Sequence, residues 1–179
     1  VYQLARALQT NRAILPTAVV FNDGPLMQKL KAAGIPVTLA DESAESPLSM
    51  VRSLCKHLKE HRTDIVHTHG FKENVLGTIA QKICRVPKSV RTAHGNPETC
   101  ETWRSPRRKL ISVVDQLTGR YGQNAVVAVS GQLERDLSRL YPDKTVKILN
   151  FIEIPETATA HVTREKMPAA QETASNVIK

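Results

Sequence analysis

The sequence predicts an α/β fold in which helices cover both faces of a doubly wound parallel β-sheet. Short runs of β-branched residues alternate with helical patterns along most of the chain. One of these runs, 125–129 (AVVAV), is apolar at every position, as in a strand that lies between two helical layers. This alternation is typical of parallel strands that are joined by crossover helices.

The individual elements follow from the periodicity of the apolar residues. Val1, Leu4, Ala5 and Leu8 have the i, i+3, i+4, i+7 spacing of an amphipathic helix. No capping residue precedes them, so we expect the helix and its domain to be cut from a longer chain. We then predict strands at 14–21, 35–39, 64–69, 89–93, 125–129 and 146–149, and helices at 26–33, 48–61, 73–83, 107–121 and 133–140.

Punctuating residues set several of these boundaries. Gly34 is a C-terminal signal for the helix at 26–33, and Pro47 occupies the start of the helix at 48–61. The stretch 155–179 is rich in Thr, Ala, Glu and Pro and has little periodicity, which predicts a linker or a disordered tail. The sequence therefore predicts one domain over residues 1–154.

Composition excludes several classes of protein. With only 4% aromatic residues, a nucleic-acid binder that stacks bases on aromatic platforms is excluded, and we expect no nucleic-acid partner. The longest apolar run, 125–129, is far shorter than the roughly 20 residues of a membrane span. Cys55, Cys84 and Cys100 form neither a disulfide framework nor a Cys-x-x-Cys site, so we expect a reduced, cytoplasmic protein. A net charge of +8 and a pI near 9.6 favour anionic partners such as phosphates or an anionic membrane surface.

Polar and glycine residues follow nearly every predicted strand. Ligands of doubly wound sheets bind beyond the carboxyl ends of the strands, so these residues are the candidates for a site. Turn propensity explains Gly, Asn and Asp at such positions but not the two His-Gly steps. The candidates are Asn22–Gly24, Asp41, His69 to Lys72, His94 to Asn96, Ser130–Gly131 and Asn150.

The histidines allow more than one interpretation. His67 and His69 share one face of a strand and would form a metal site only if His94 converged with them. No carboxylate or cysteine follows at ligand spacing, so we expect no metal and interpret His67 as a packed strand residue. His94 presents its imidazole to a ligand as a hydrogen-bond donor or proton carrier, or it caps a backbone carbonyl of the loop. Gly-x-Gly-x-x-Gly, P-loop and Gly-x-Ser-x-Gly motifs are absent, which argues against dinucleotide oxidoreductases, P-loop ATPases and α/β hydrolases.

Four motifs together resemble one family. They are DIVHTHG at 64–70, SVRTAHG at 89–95, VVAVSGQLERDL at 126–137 and VKILNFIEI at 146–154, and they occur in that order and spacing. The chain is similar to the Rossmann-like, N-terminal, acceptor-side domain of GT-B glycosyltransferases of the family-4 type. The resemblance covers residues 1 to about 154. The opening VYQLARAL resembles the first helix of that domain, so we expect the first strand, which lies centrally in the family, to be missing.

The resemblance also implies roles for particular residues. His94 matches a catalytic-site histidine that lies beside the transferred sugar. The positions implied to bind the acceptor are His69, Gly70, Phe71, Lys72 and Asn96, and those at the interdomain cleft are Ser130 and Asn150. Around a leaving phosphate, hydrogen-bonding groups at such positions would stabilise the developing charge.

The implied activity is that of a retaining glycosyltransferase. Such an enzyme moves a sugar from a nucleotide sugar to a hydroxyl of a glycan or lipid-linked acceptor, and we expect a role in cell-envelope polysaccharide or glycolipid synthesis. No cofactor is implied beyond the nucleotide-sugar donor, which a missing C-terminal domain binds through a Glu-x7-Glu motif. No two glutamates here have that spacing, so we expect this chain alone to transfer no sugar. The alternatives are a non-catalytic α/β module or split partner, and one half of a nucleotide-sugar epimerase.

A basic segment points to a membrane surface. Trp103, Arg104, Arg107, Arg108 and Lys109 crowd the start of the helix predicted at 107–121. Leu110, Val113, Val114 and Leu117 add an apolar stripe, and a cationic amphipathic segment with Trp is typical of a membrane interface. The same stripe would equally pack a helix onto its own sheet. We therefore predict peripheral attachment at the inner face of the cell membrane, with an ordinary surface helix as the alternative.

Overall fold

The structure, a computed structural model, describes residues 1–95 and 113–149. Its helices are α1 (Tyr2–Gln9), α2 (Pro25–Ala32), α3 (Pro47–Glu60), α4 (Phe71–Cys84), α5 (113–122) and α6 (Gly131–Leu140). Its strands are β1 (Ala18–Val20), β2 (Val37–Leu39), β3 (Ile65–Thr68), β4 (Lys88–Ala93), β5 (Ala125–Ala128) and β6 (Thr145–Lys147). The last turn of α5, Thr118–Gly122, is π-helical. The alternation of strands and helices confirms the predicted α/β class.

The strands that the structure describes form two parallel sheets. β1 pairs with β2, and β3, β4, β5 and β6 pair in that order. In the larger sheet His67 lies opposite Val90, and Val126 lies opposite Thr145.

Helices α3 and α4 form the layer that joins the two sheets. Their buried apolar side chains pack into one cluster around Met50, Leu54 and Ala80. Val19 of β1 and Val66 of β3 both pack against this cluster, so the two sheets share a core. A second cluster lies between β5 and α6, and a third lies between the small sheet and α2. Each fully buried large apolar side chain contributes roughly 1.5–3 kcal/mol to the free energy of unfolding.

Local capping explains where several helices begin and end. Ser46 Oγ accepts a hydrogen bond from the Ser49 N–H at 3.2 Å, and Pro47 occupies the first turn of α3 as expected. Gly34 follows α2 with a φ of 73°, a left-handed conformation that favours glycine. The Ile35 N–H then donates to the Leu30 carbonyl at 3.1 Å. Gly34 therefore ends α2 as the sequence predicts.

Five of the six observed strands are shorter than the predicted ones, β4 is one residue longer, and four helices begin one or two residues earlier. β1 has only three residues, because the first four residues of the predicted strand at 14–21 lie outside the ladder. Leu15 in that stretch is 89% exposed. α4 begins at Phe71 instead of Glu73, so Phe71 and Lys72 belong to a first helical turn and not to a loop. α6 likewise begins at Gly131. Within the described ranges, no helix has the length and apolar character needed to cross a bilayer.

Candidate functional site

The carboxyl ends of β3, β4 and β5 meet at one edge of the larger sheet. His69 and Gly70 follow β3, His94 and Gly95 follow β4, and Ser130 follows β5. Because the three strands are parallel neighbours, these residues lie side by side. The topology therefore assembles one site from residues that are as much as 61 positions apart, the distance from His69 to Ser130.

Three imidazole rings lie in a row at this edge. The rings of His67 and His69 stack with centroids 4.4 Å apart, and those of His69 and His94 lie 5.7 Å apart. His69 Nδ1 and His94 Nε2 are 3.4 Å apart, within hydrogen-bonding distance. His67 Nε2 is 2.8 Å from the Thr92 hydroxyl on the neighbouring strand. His67 is thus tied to the sheet, while His69 contacts His94.

The environment keeps the inner two rings uncharged near neutral pH. Burial, together with the neighbouring His67 and His94 rings, lowers the pKa of His69 to about 3. Burial and nearby positive charge also lower the pKa of His67. A neutral imidazole has one donor and one acceptor nitrogen, so His69 can orient the His94 ring through a hydrogen bond.

The row of histidines does not form a metal centre. Within the ranges that the structure covers, no group of three or more His, Cys, Asp or Glu side chains is arranged to hold an ion. His67 directs Nε2 to Thr92, and His69 directs Nδ1 to His94. The chemistry that these rings offer is hydrogen bonding.

His94 and Ser130 open onto a shared cavity of about 150 Å³. Gly95 and Val129 complete the strand-end side of its wall, and α6 contributes Gln132, Leu133 and Asp136. Ser130 caps α6, because its Oγ accepts a hydrogen bond from the Leu133 N–H at 3.2 Å. The cap fixes the first turns of α6 against the strand ends, which sets the shape of the cavity.

Lys72, one of the expected acceptor-binding residues, has a partner within the chain. Its ammonium group lies 2.5 Å from Glu42 Oε2, and this contact raises the pKa of Lys72. Glu42 belongs to the loop after β2, so the pair links the two sheets at their carboxyl ends. Side chains of Lys72 and Glu42 are 65% and 35% exposed, so the pair contributes little to stability.

A buried polar network lies beneath α5, and the sequence interpretation missed it. Arg91 Nη2 lies 2.8 Å from Asp115 Oδ2, and Asn74 Nδ2 donates to Asp115 Oδ1 at 2.9 Å. Gln123 Nε2 contacts both Asn74 Oδ1 at 2.6 Å and Thr78 Oγ1 at 2.9 Å. The network joins β4 and α4 to both ends of the described part of α5.

The same network fixes which face of α5 turns inward. Asp115, Gly119 and Gln123, four residues apart, are buried. On the opposite face, Val113, Leu117 and Tyr121 are 43%, 50% and 71% exposed. We call these three residues the α5 apolar stripe. Asp115, on the face opposite this stripe, was the sequence signal for the orientation.

Several expected site residues lie outside the described ranges. These are the acceptor-site residue Asn96, the cleft residue Asn150 and the membrane-interface residues Trp103, Arg104, Arg107, Arg108 and Lys109. Among the described candidates, the structure brings together His69, His94 and Ser130. Gln132 and Asp136 are additional cavity residues; once Ser130 is placed as the cap, the spacing of four residues assigns them to one face of α6.

Comparison with known proteins identifies a sugar-transferring family. The family model described as Glycosyltransferase Family 4 matches residues 1–154. An Escherichia coli UDP-Gal:α-D-GlcNAc-diphosphoundecaprenol α-1,3-galactosyltransferase is 35% identical over 95 residues, which is 51% of this chain and 23% of that protein. The chain thus spans less than a quarter of this curated relative in the matched region.

Solved structures share the fold. HepE of Anabaena in complex with UDP and glucose matches with a TM-score of 0.64 at 18% identity, over 90% of this chain and 45% of that one. MurG of Acinetobacter baumannii gives 0.55 at 14% identity, over 87% and 42%. A UDP-N-acetylglucosamine 2-epimerase gives 0.56 at 16% identity, over 80% and 41%. These identities establish the fold alone, and in each case the chain spans less than half of the solved protein.

Proposed function

This chain belongs to glycosyltransferase family 4, and we propose that it is the acceptor-binding half of an enzyme that transfers a sugar from a nucleotide sugar to an acceptor hydroxyl. The donor-binding half is supplied by polypeptide beyond this chain. The observation that carries the proposal is the meeting of His69, His94 and Ser130 at the edge of the sheet, around the cavity that His94 and Ser130 share.

The chemistry of transfer suits this arrangement. The acceptor hydroxyl forms a bond to the anomeric carbon of the donor sugar while the bond from that carbon to the phosphate oxygen breaks. Negative charge develops on the leaving phosphate, which takes up the proton that the hydroxyl releases. Hydrogen-bond donors that are already in place stabilise such charge without the cost of reorganising solvent. An exposed imidazole at a strand end, as in His94, can supply such a donor.

His69 positions the His94 ring through a direct contact. Its ring is 3.4 Å from His94 Nε2 and stays uncharged, because burial lowers its pKa to about 3. The hydrogen bond between the rings holds His94 in one orientation and one tautomer. We propose that transfer retains the anomeric configuration, as the resemblance implies.

We propose further that the acceptor is linked to a lipid and that the enzyme works at the cytoplasmic face of the cell envelope. The E. coli relative acts, by its name, on a sugar linked to diphosphoundecaprenol. In this chain the α5 apolar stripe faces outward, and the sequence just before it contains Arg104, Arg107, Arg108 and Lys109. An apolar stripe next to basic residues complements an anionic membrane surface.

Replacement of His94 tests the catalytic proposal. In the enzyme assembled with its donor-binding half, we expect His94→Ala to lower kcat by roughly 100-fold or more, the scale of a positioned catalytic group. His61→Ala is the matched control, because His61 is another exposed histidine but lies at the end of α3. The measurement is initial-rate kinetics with a panel of nucleotide sugars and lipid-linked acceptors. Near-normal kcat in His94→Ala would contradict the proposal, and conversion of the nucleotide sugar without acceptor would instead identify an epimerase.

A further inference from the structure

The α6 side of the cavity carries a carboxylate and an amide that are already arranged relative to each other. Gln132 Nε2 donates to Asp136 Oδ2 at 3.2 Å. Gln132 Oε1 in turn accepts from Arg135 Nη2 at 2.6 Å. Within the ranges that the structure describes, Asp136 makes one side-chain hydrogen bond, to Gln132, and its Oδ1 is left to accept from a ligand.

The composition of the wall indicates the kind of ligand. Val129 and Leu133 provide an apolar surface, whereas Asp136, Ser130 and His94 provide polar groups around it. A carboxylate repels a phosphate but accepts hydrogen bonds from hydroxyl groups. A ligand that presents both C–H surfaces and several hydroxyls, as a pyranose ring does, matches both parts of the wall.

The size of the cavity matches a single ring. About 150 Å³ is well below the roughly 300–1,000 Å³ of pockets that enclose drug-sized ligands. A cavity of roughly this volume can hold a six-membered ring such as benzene. The cavity is thus suited to one ring of a larger substrate, directly beside His94.

We propose that Asp136, held in place by Gln132, binds a pair of ring hydroxyls of a sugar and thereby determines which sugar is positioned next to His94. This inference deepens the proposed function and rests on it, in that the ligand is taken to be part of a sugar-transfer substrate. Asp136 is then a specificity-determining residue, whose carboxylate distinguishes rings by the arrangement of their hydroxyls.

Binding to the 179-residue chain tests the inference without any need for turnover. Methyl glycosides of glucose, galactose and N-acetylglucosamine would be titrated into isotope-labelled chain, and the chemical shifts of the cavity residues followed by NMR. We expect at least one glycoside to bind, and Asp136→Asn to weaken its binding about 10-fold, the scale of a hydrogen bond to a charged group. Gln132→Ala should weaken it less, because the carboxylate remains.

Asp143→Asn is the matched control. It removes the same charge from the turn after α6, where a φ of 65° is one that Asn readily adopts. It should leave glycoside binding unchanged. If none of the three glycosides binds, or if Asp136→Asn binds as tightly as the original chain, the inference is overturned.

Kinetics of the assembled enzyme identifies whether the sugar ring in the cavity belongs to the acceptor or to the donor. An increase of about 10-fold in KM for the acceptor assigns the site to the acceptor sugar, and the same increase for the nucleotide sugar assigns it to the donor. Unchanged KM values for both overturn the inference while the proposed transfer stands. Glycoside binding that depends on Asp136 in an assembly without transferase activity would overturn the proposed function and leave the sugar site standing.

Discussion

Among single residues outside the candidate site, His57 is a buried histidine with a partner at each ring nitrogen. It lies on the inner face of α3 and is 2% exposed. Its Nδ1 is 2.8 Å from the Thr38 hydroxyl, and its Nε2 is 2.9 Å from the Thr17 hydroxyl. His57 thereby attaches the small sheet to α3, and burial lowers its pKa from 6.5 to about 4.

This residue should make stability depend on pH. The unfolded chain binds a proton at His57 near pH 6.5, whereas the folded chain does so only near pH 4. The contribution of His57 to the free energy of unfolding is therefore complete above about pH 6.5 and is lost as the pH falls towards 4. The loss is at most about 1.4 kcal/mol per pH unit. Urea unfolding from pH 4 to 8 measures it, with His57→Gln as the variant that does not titrate.

The free energies of unfolding of the original chain and of His57→Gln, plotted against pH, should converge as the pH falls. His67 and His69 also have lowered pKa values, so part of the pH dependence persists in His57→Gln. The difference between the original chain and the variant isolates His57. A difference that is constant from pH 4 to 8 would contradict the assignment.

At the scale of the element, the described part of α5 is attached through polar side chains. Its inner face is attached by the Arg91–Asp115 ion pair and by Gln123, and Gly119 lets it approach Tyr141 closely. A Cβ at position 119 would lie 2.7 Å from the Tyr141 ring. Polar contacts and a close backbone approach, instead of apolar packing, hold this helix to the molecule.

Replacing one partner of the buried ion pair should therefore lower the free energy of unfolding strongly. We expect Arg91→Met to lower the free energy of unfolding by about 3–5 kcal/mol, because it leaves the Asp115 carboxylate buried without its cation. Arg91→Met combined with Asp115→Leu should cost clearly less than the sum of the single changes. Urea unfolding of the four chains forms a double-mutant cycle. Additive losses would mean that the pair is not coupled in the folded state.

At the scale of the whole molecule, charge and the α5 apolar stripe favour attachment to a membrane surface. The chain has a net charge of +8. Each basic residue near an anionic surface contributes on the order of 1 kcal/mol. We expect the chain to co-sediment with anionic vesicles and not with neutral ones, and to be released by high salt. Replacement of Arg104, Arg107, Arg108 and Lys109 by Gln should abolish most of the binding.

Two variants separate the apolar and the electrostatic contributions to this binding. Leu117→Ser should weaken binding to anionic vesicles even at low salt, because it removes an apolar group from the exposed stripe. Arg62→Gln removes one positive charge next to α3 and serves as the control for charge alone. Equal, negligible binding to anionic and neutral vesicles would contradict the membrane proposal.

The sequence by itself determined the order of the elements and the edge of the sheet at which the site lies. Apolar periodicity reports which face of a segment is buried, and Gly34 and Pro47 limit helices through backbone geometry that is local. Parallel strands place their carboxyl ends together, so the sequence alone assigns His69, His94 and Ser130 to one edge. The family resemblance of the motifs at the same positions added the expectation of sugar transfer.

Only the tertiary structure decided which side chains meet and which face of α5 turns inward. The partners of Arg91, Lys72 and His57 are 24, 30 and 19 or 40 positions away in the sequence. Periodicity could not predict them, because it carries no information on contacts between distant segments. It also left both interpretations of the apolar stripe open, whereas the buried Arg91–Asp115 ion pair shows which face of α5 turns inward. The exact ends of the strands could not be predicted from periodicity either. A strand ends where its hydrogen bonds to the neighbouring strand end, and this depends on contacts between distant segments.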